Sequence, residues 1–257
     1  RNRYLKYCFS HSIRCYMSPK ISDIILLGTD RIHLFDTPLL MCRNQGLSME
    51  QRAAKRVLDI IVSGLGIIVS SPIMLIIAIA VKAYDGGPVF YLQDRLTYQG
   101  KEFRIRKFRS MCVDSEKNGA RLASKHDSRI TPVGHVLRNL HLDELPQLFN
   151  VFAGDMSLVG PRPERDVIMQ EYEQEIPEFH YRLKVKAGLT GYAQVYGKYN
   201  TTPYDKLKLD LFYIENYSFL LDIKLLFMTV KIFFQKEVSE GVDDNQKNAL
   251  KDSEDKK

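Results

Sequence analysis

One long stretch of this chain carries only apolar and small polar side chains, in contrast to the mixed pattern elsewhere. No charged residue occurs between Ile60 and Val81. As a continuous helix the stretch would extend about 33 Å at 1.5 Å per residue, which matches the roughly 30 Å hydrocarbon core of a bilayer. A helix buried in a soluble core is usually shorter and keeps a polar face. The pattern therefore predicts a helix that inserts into a membrane.

Two arrangements of this helix are compatible with the residues alone. Pro72 lies at its midpoint, directly after Ser70 and Ser71, and lacks the backbone donor that a helix interior uses. Basic residues flank both ends of the stretch, namely Arg52, Lys55, Arg56 and Lys82. If both flanks stay on the cytoplasmic side, the helix turns back as a re-entrant hairpin. Otherwise it crosses the bilayer with a kink at Pro72, and Lys82 reaches back toward the headgroups.

The chain after this helix has the pattern of a small α+β domain. Strand-like alternation covers residues 88–111, and one face of the second strand carries Phe103, Ile105, Lys107 and Arg109. Helical spacing follows at 132–140, 144–153, 164–175, 204–216 and 219–235. The last two of these helices are amphipathic in a way that suits a membrane interface.

The two ends of the chain carry weaker patterns. Residues 1–50 contain a strand-like run from Ile24 to Leu27 and an apolar stretch from Ile32 to Met41, which is too little for a complete domain. Residues 114–130 are polar and charged, as in a mobile loop. From Lys236 onward the mixed charges predict a disordered tail.

Composition narrows the range of partners and cofactors. Lys and Arg number 37 against 31 Asp and Glu, so the net charge of +6 suits a phosphate-rich substrate, a lipid headgroup or a nucleic acid. A nucleic-acid module is not favoured, because its basic residues would need interleaved aromatic side chains and the chain has no Trp. A P-loop is absent, which disfavours a P-loop kinase. The cysteines lack zinc-ligand spacing; they are Cys8, Cys15, Cys42 and Cys112.

The densest group of reactive side chains lies in residues 138–163. Asp143 precedes a helix-like run with Pro146 in its first turn, which predicts Asp143 as the N-cap. At that position the helix dipole keeps a carboxylate ionised, and free N–H groups favour a phosphate nearby. Glu144 is a reasonable Mg²⁺ ligand, since this hard cation prefers carboxylate and phosphate oxygens. The alternative is that Asp143 and Glu144 only cap and charge a helix.

Four cations accompany this acid pair. Arg162 lies between two prolines, in a stiff loop suited to bidentate phosphate binding. Arg138 lies just ahead of the acid pair, while Lys107 and Arg109 project from an otherwise apolar strand face, where a charge needs a partner. Such a group fits a nucleotide diphosphate or a lipid phosphate.

These segments together resemble the bacterial sugar transferases, the monotopic phosphoglycosyl transferases that act on polyprenol phosphate. The resemblance covers about residues 50–238 in the order typical of the family. It rests on the segments Lys55–Asp59, Ser71-Pro72, GGPVFYLQDR, KFRSM, LDELPQLFNVFAGDMSLVGPRP and KAGLTGYAQVYG.

The resemblance implies transfer of a hexose-1-phosphate from a UDP-sugar to undecaprenyl phosphate with release of UMP, the first membrane step of exopolysaccharide, capsule or O-antigen synthesis. It implies that Asp143 is the nucleophile of a covalent phospho-sugar intermediate and that Glu144 supports Mg²⁺. Lys107, Arg138 and Arg162 fall on positions that contact phosphates in this family. The site would face the cytoplasm at the bacterial cytoplasmic membrane.

The implied fold class is α+β, with a small α/β catalytic domain, a re-entrant membrane hairpin helix and peripheral amphipathic helices. The catalytic domain would cover 51–238, with the hairpin at 57–83 turning at Ser71 and Pro72. Residues 1–50 would be the end of a Rossmann-like domain, and 239–257 a disordered charged tail. Two other functions stay open, an inactive membrane-anchored interaction protein and a conventional glycosyltransferase with a lipid acceptor. The hexose and the oligomeric state, a homo-oligomer included, are not specified by any motif.

Overall fold

The computed structural model describes residues 1–42, 46–113, 127–198 and 201–233. The chain forms two compact units, residues 1–43 and residues 44–257. Most of the predicted loop at 114–130 and the whole predicted tail at 239–257 lie outside the described residues.

The first unit contains two short helices and a β-hairpin. Helices α1 (Asn2–Ser10) and α2 (Ile21–Leu27) precede the antiparallel strands β1 (Asp30–Leu34) and β2 (Thr37–Met41). The strand-like run predicted at Ile24–Leu27 is therefore wrong, because it forms the second half of α2. At the start of this helix the Asp23 carboxylate accepts from the Lys20 backbone amide at 2.8 Å, and Ile21 and Ile24 are buried at helical spacing. The origin of this unit in a Rossmann-like domain stays a prediction.

The second unit contains the remaining elements. In chain order these are α3 (Met49–Asp85), β3 (Phe90–Leu96), β4 (Glu102–Phe108), α4 (Pro132–Asn139), α5 (Gln147–Ala153), β5 (Ser157–Val159), α6 (Asp166–Glu175), β6 (Gly188–Thr190), α7 (Tyr192–Tyr196), α8 (Pro203–Glu215) and α9 (Phe219–Phe233). Short 3-10 segments form at Leu142–Glu144 and Pro177–Lys184. The mixed helix and sheet content confirms the α+β prediction, and the predicted helical patterns match α4, α5, α6, α8 and α9 within a few residues.

Two small sheets position the polar segments of this unit. The strand-like alternation predicted over residues 88–111 corresponds to β3 and β4, which pair antiparallel with Tyr91 opposite Lys107. Phe103 and Ile105 on β4 are buried, while Arg104 and Arg106 on the other face are exposed. Strands β5 and β6 pair in parallel.

Among the described residues, α3 is the one helix long and apolar enough to cross a membrane. Ser48 caps its start, accepting from the Gln51 amide at 3.2 Å. Helix α3 continues through Pro72, where the missing N–H would leave the carbonyl of Ile68 without its helical donor. The Ser71 hydroxyl donates to that carbonyl at 2.8 Å and replaces the lost bond. A reversal of the chain at Ser71-Pro72 is not confirmed and stays a prediction.

Both ends of α3 are fastened to the rest of the second unit. Near its start, buried Lys55 bonds Asp222 of α9 at 2.6 Å, and the Asp59 carboxylate accepts from the Leu158 amide of β5 at 2.9 Å. Near its end, three buried apolar side chains pack against Phe108 and Leu137; they are Met74, Ile77 and Val81. The exposed apolar residues of α3 lie mostly between these two attachments.

Candidate active site

Strand β4 brings Lys107 to the acid pair. Its ammonium lies 2.6 Å from Oε1 of Glu144, and about a fifth of each side chain is exposed. The predicted need of this strand-face cation for a partner is therefore met by Glu144. Burial lowers the pKa of Lys107, although the carboxylate of Glu144 acts in the opposite direction.

Asp143 and Glu144 lie in a tight turn rather than at the start of α5. The 3-10 segment Leu142–Glu144 follows His141, which takes a left-handed backbone conformation with φ 53°. Helix α5 begins only at Gln147, and its N-cap position is Pro146. The prediction that Asp143 caps this helix is wrong, because the extra turn separates the acid pair from the helix N-terminus.

Glu144 is the centre of the charged cluster. Its Oε1 accepts from Lys107 at 2.6 Å and from Arg162 at 3.2 Å. Burial alone would raise the pKa of Glu144, but the charges of Arg162 and Lys107 and their hydrogen bonds hold it well below its ordinary value. Glu144 is therefore ionised at neutral pH.

Asp143 has a different environment from its neighbour. Within the described residues its carboxylate makes no hydrogen bond or ion pair. Burial and the adjacent Glu144 charge raise the pKa of Asp143, while the charges of Lys107 and Arg138 oppose them. The turn thus presents one neutralised carboxylate beside one that is open to a ligand.

The loop after β5 presents Arg162 between two fixed residues. Pro161 and Pro163 are buried, whereas half of the Arg162 side chain is exposed. The loop begins at Gly160, where a Cβ would lie 2.4 Å from the carbonyl oxygen of Lys186. Only glycine allows this close backbone approach, which fixes the start of the loop against the chain leading into β6.

The two other predicted cations lie in different surroundings. On α4, Arg138 donates from Nε to Ser110 Oγ at 2.9 Å and is close enough to Asp143 to affect its pKa. Arg109 is buried and pairs with Asp85 at the end of α3, while its Nε and one terminal nitrogen have no partner in the described part of the chain. The structure thus brings Lys107 and Arg162 onto Glu144, places Arg138 nearby, and pairs Arg109 with α3.

Sequence reasoning missed Asn150, which joins β4 to α5, the helix that follows the acid pair. This fully buried side chain donates to the carbonyl of Arg104 at 2.8 Å and accepts from the amide of Arg106 at 3.0 Å. The amide therefore bonds β4 just before Lys107 and ties that strand to α5. A buried Asn inside an apolar helical run was the available signal.

The donor set of the acid pair fits the expected Mg²⁺. This ion is commonly held by one or two carboxylates together with substrate phosphate oxygens. Glu144 uses only Oε1 for its two cations in the described residues, and Asp143 is unpaired there. No cluster of three or more acidic, His or Cys ligands occurs in the described ranges, so substrate oxygens would have to complete the coordination.

Comparison with known proteins gives a consistent result. The family model described as "Bacterial sugar transferase" matches residues 50–236. The chain is 44% identical over 89% of its length to UDP-N-acetylgalactosamine-undecaprenyl-phosphate N-acetylgalactosaminephosphotransferase from Aeromonas hydrophila, covering 54% of that protein. It is 43% identical over 79% of its length to UDP-glucose:undecaprenyl-phosphate glucose-1-phosphate transferase from Klebsiella pneumoniae, covering 43% of that relative.

A further relative is named for a third sugar, galactose. The chain is 36% identical over 85% of its length to undecaprenyl-phosphate galactose phosphotransferase from Salmonella typhimurium, covering 49% of that protein. The chain spans about half the length of these curated relatives. The matched region 50–236 contains α3, the acid pair and the Arg162 loop. The chain belongs to the bacterial sugar transferase family.

Proposed function

We propose that this chain transfers a hexose-1-phosphate from a UDP-sugar to undecaprenyl phosphate. An Asp143 carboxylate oxygen attacks the phosphorus that bears the sugar, the bond to the bridging oxygen breaks, and UMP leaves. A phosphate oxygen of undecaprenyl phosphate then attacks the same phosphorus, which releases Asp143 and gives a lipid-linked diphosphate sugar. The proposal agrees with the named reactions of the relatives from three organisms.

One observation carries the assignment of roles within the acid pair. Glu144 is bound by Lys107 and Arg162, whereas its neighbour Asp143 has no partner among the described residues. A nucleophile needs an accessible oxygen, and a carboxylate already bonded to two cations is a poor one. The same cations can stabilise the charge on the diphosphate of the substrate.

Mg²⁺ belongs to the proposal as a group held by Glu144 and the substrate phosphates. When bound, it would neutralise phosphate charge and the developing charge on the leaving UMP. The protein's own part is to hold Glu144 ionised between Lys107 and Arg162 and to keep the Asp143 carboxylate beside it.

The attachments of α3 support insertion from one side of the membrane. Lys55 near its start and Val81 near its end both pack against the same unit. That unit carries the charged site and cannot itself enter the bilayer. Both ends of α3 therefore lie on one face in this proposal, with a hairpin at Ser71-Pro72, and the UDP-sugar substrate makes this the cytoplasmic face.

Nucleotide release tests the reaction. Purified protein in nanodiscs would be given undecaprenyl phosphate, Mg²⁺ and one of a panel of UDP-hexoses, beside an Asp143→Asn variant. We expect UMP from one sugar and none from the variant. Asp94→Asn is the matched control, because this acid is largely exposed on β3 and its one ion pair among the described residues is with exposed Arg104.

The possible products separate the alternatives. Release of UDP would indicate a conventional glycosyltransferase, since only phosphoglycosyl transfer breaks the diphosphate. Turnover by Asp143→Asn would contradict Asp143 as the nucleophile. An intact fold with no turnover of any sugar would favour an interaction protein.

A further inference from the structure

The loop that presents Arg162 is held through four successive backbone carbonyls. Their donors are the Gly188 amide to Pro161 (2.9 Å), Arg182 to Arg162 (3.0 Å), Arg95 to Pro163 (3.1 Å) and the Leu96 amide to Glu164 (3.0 Å). Two of these donors are guanidinium groups from outside the loop. The path of the loop therefore depends on side chains as well as on sheet pairing.

Arg182 is the more deeply buried of the two arginines. It lies in the 3-10 segment Pro177–Lys184 with only 5% of its side chain exposed. The nitrogen that donates to the Arg162 carbonyl also lies 2.8 Å from Oδ2 of buried Asp210 on α8. The other terminal nitrogen lies 3.5 Å from Oε1 of Glu164, and the guanidinium lies 4.9 Å from the centre of the Phe179 ring.

A buried pair of this kind is a weak source of stability, because the cost of removing both charges from water offsets their attraction. Its geometry points to a different role. The guanidinium reaches the loop backbone at Arg162 itself, and that residue's own side chain ends 3.2 Å from Glu144. Pairing with Asp210 fixes Arg182, and Arg182 in turn fixes the backbone from which Arg162 extends.

We infer that Arg182, held by Asp210, is a positioning residue that directs Arg162 toward Glu144 and the substrate diphosphate. The benefit of this positioning for catalysis rests on the proposed function, whereas the contacts by which Arg182 fixes the loop do not. A lysine cannot replace Arg182, because a single ammonium cannot contact Asp210, Glu164 and the Arg162 carbonyl in the fixed geometry of a planar fork.

A double-mutant cycle tests the inference on the reaction. Arg182→Lys should lower kcat/KM for the UDP-sugar by about tenfold, the size expected for one charged hydrogen bond, mainly through a higher KM. In an Arg162→Ala background the same substitution should change kcat/KM by less than about twofold, since the side chain it positions is gone. Equal effects in both backgrounds would overturn the inference.

The matched control is Leu211→Ala, one residue from Asp210 on α8 and also buried. It loosens the same helix without removing a hydrogen bond to the loop, because a leucine side chain makes none, so its effect should be the same with and without Arg162. Asp210→Asn is the milder second variant, because it keeps the shape and one acceptor for Arg182. It should show the same dependence on Arg162 with a smaller loss.

Hydrogen exchange gives a readout that does not need activity. In the wild-type chain and the Arg182→Lys variant, amide exchange of the four non-proline residues in segment 160–165 is compared with the rest of the chain; they are Gly160, Arg162, Glu164 and Arg165. Faster exchange confined to this segment and to the Arg182 region supports the inference, and an unchanged segment overturns it. If wild-type protein releases no UMP, the proposed function fails while this measurement still decides the positioning role.

Discussion

At the residue scale, the two acids of the site differ because of what surrounds each one. Glu144 has its negative charge balanced by Lys107 and Arg162, and its pKa is held low. Asp143 has a raised pKa, mainly from burial, and no partner in the described residues. Adjacent residues in one tight turn thus have different surroundings, which is the basis for the different roles proposed for them.

The ion pair between Lys107 and Glu144 should matter for turnover. Lys107→Met leaves Glu144 with Arg162 alone and removes a cation from the phosphate site. We expect kcat/KM for UMP release to fall by about 10- to 100-fold, in line with one charged hydrogen bond. Lys107→Arg, which keeps the charge, should recover part of the loss.

Lys101→Met serves as the control, because this lysine is exposed just before β4 and has no contact with the acid pair in the described structure. If Lys107→Met turned over like this control, the cluster would have no catalytic role.

Asp210 should make stability depend on pH in an unusual direction. Burial raises the pKa of Asp210 from its ordinary 3.8 to about 6, while Arg182 opposes the shift and Glu164 adds to it. The folded state therefore binds more protons than the unfolded state between these values. The contribution of this group is fully present below pH 4 and is lost as the pH rises through 6, by about 3 kcal/mol in total.

Comparing wild type with Asp210→Asn isolates this contribution, since other carboxylates such as Glu144 change stability in the opposite sense. Thermal unfolding followed by circular dichroism from pH 4.5 to 7.5 should show wild type losing stability relative to the variant as pH rises. Parallel curves would show that Asp210 does not titrate in this range.

At the element scale, α3 combines a helix-breaking residue with a local repair. Pro72 removes one backbone donor, and the Ser71 hydroxyl supplies another to the same Ile68 carbonyl. Such a position can bend with little loss of hydrogen bonding. Helix α3 therefore has a defined point at which its two halves can change direction.

Replacing Pro72 with Ala should change how α3 lies in the membrane. Alanine restores the N–H donor and favours a straight helix, so the residues before it should move to the outer face. With the native cysteines replaced by serine, Met49→Cys would be labelled from each side of the membrane. We expect cytoplasmic labelling with Pro72 and outside labelling with Ala. Ile73→Ala is the control, because it shortens a neighbouring side chain and leaves the backbone donors unchanged; identical labelling of all three would contradict the role of Pro72 in turning the helix.

Elements with a clear period were predictable, whereas irregular ones were not. The alternation in β4 and the helical spacing of α4, α6 and α8 appear in the structure within a few residues of their predicted bounds. The strand prediction for Ile24–Leu27 fails because a short apolar run has no period of its own, and the helix shows only in the hydrogen bond from Lys20 to Asp23 and the burial of Ile21 and Ile24. The turn at Asp143 was missed since a 3-10 segment has no sequence signature of its own.

The residue types of the charged site were predictable, but not which of the cations pairs with the acids, since Arg109 pairs with Asp85 instead. The acidic and basic residues between 107 and 162 predicted a phosphate-binding site. In the structure, Glu144 contacts both Lys107 and Arg162. The contacts that hold it join residues far apart in sequence, as between Arg182 and the loop or Asn150 and β4. Arg182 and Asn150 are each a single polar residue in an ordinary helical segment, so no local sequence pattern predicts which residue they contact.

At the scale of the whole molecule, the site and the membrane helix belong to one unit. Residues 44–257 contain α3, the acid pair and the Arg162 loop, and the family match at 50–236 falls entirely within it. Lys55 ties the start of α3 to α9, and Arg56 donates to the carbonyl of Val151 near the end of α5 at 2.7 Å. If α3 inserts into the membrane as proposed, these contacts would link its depth of insertion to the height of the acid pair above the membrane.

This division predicts where the chain can be shortened. A chain of residues 44–257 should release UMP with kcat/KM within about threefold of the full chain, because no residue of the site lies in the first unit. A chain of residues 49–257 should unfold more readily. It lacks buried Leu47, worth about 2 kcal/mol, and the Ser48 cap of α3, worth about 1 kcal/mol. UMP release and thermal unfolding of both shortened chains in nanodiscs test these two expectations. If the 44–257 chain were folded but inactive, the first unit would take part in catalysis. If the 44–257 and 49–257 chains were equally stable, the Ser48 cap and Leu47 would not hold α3.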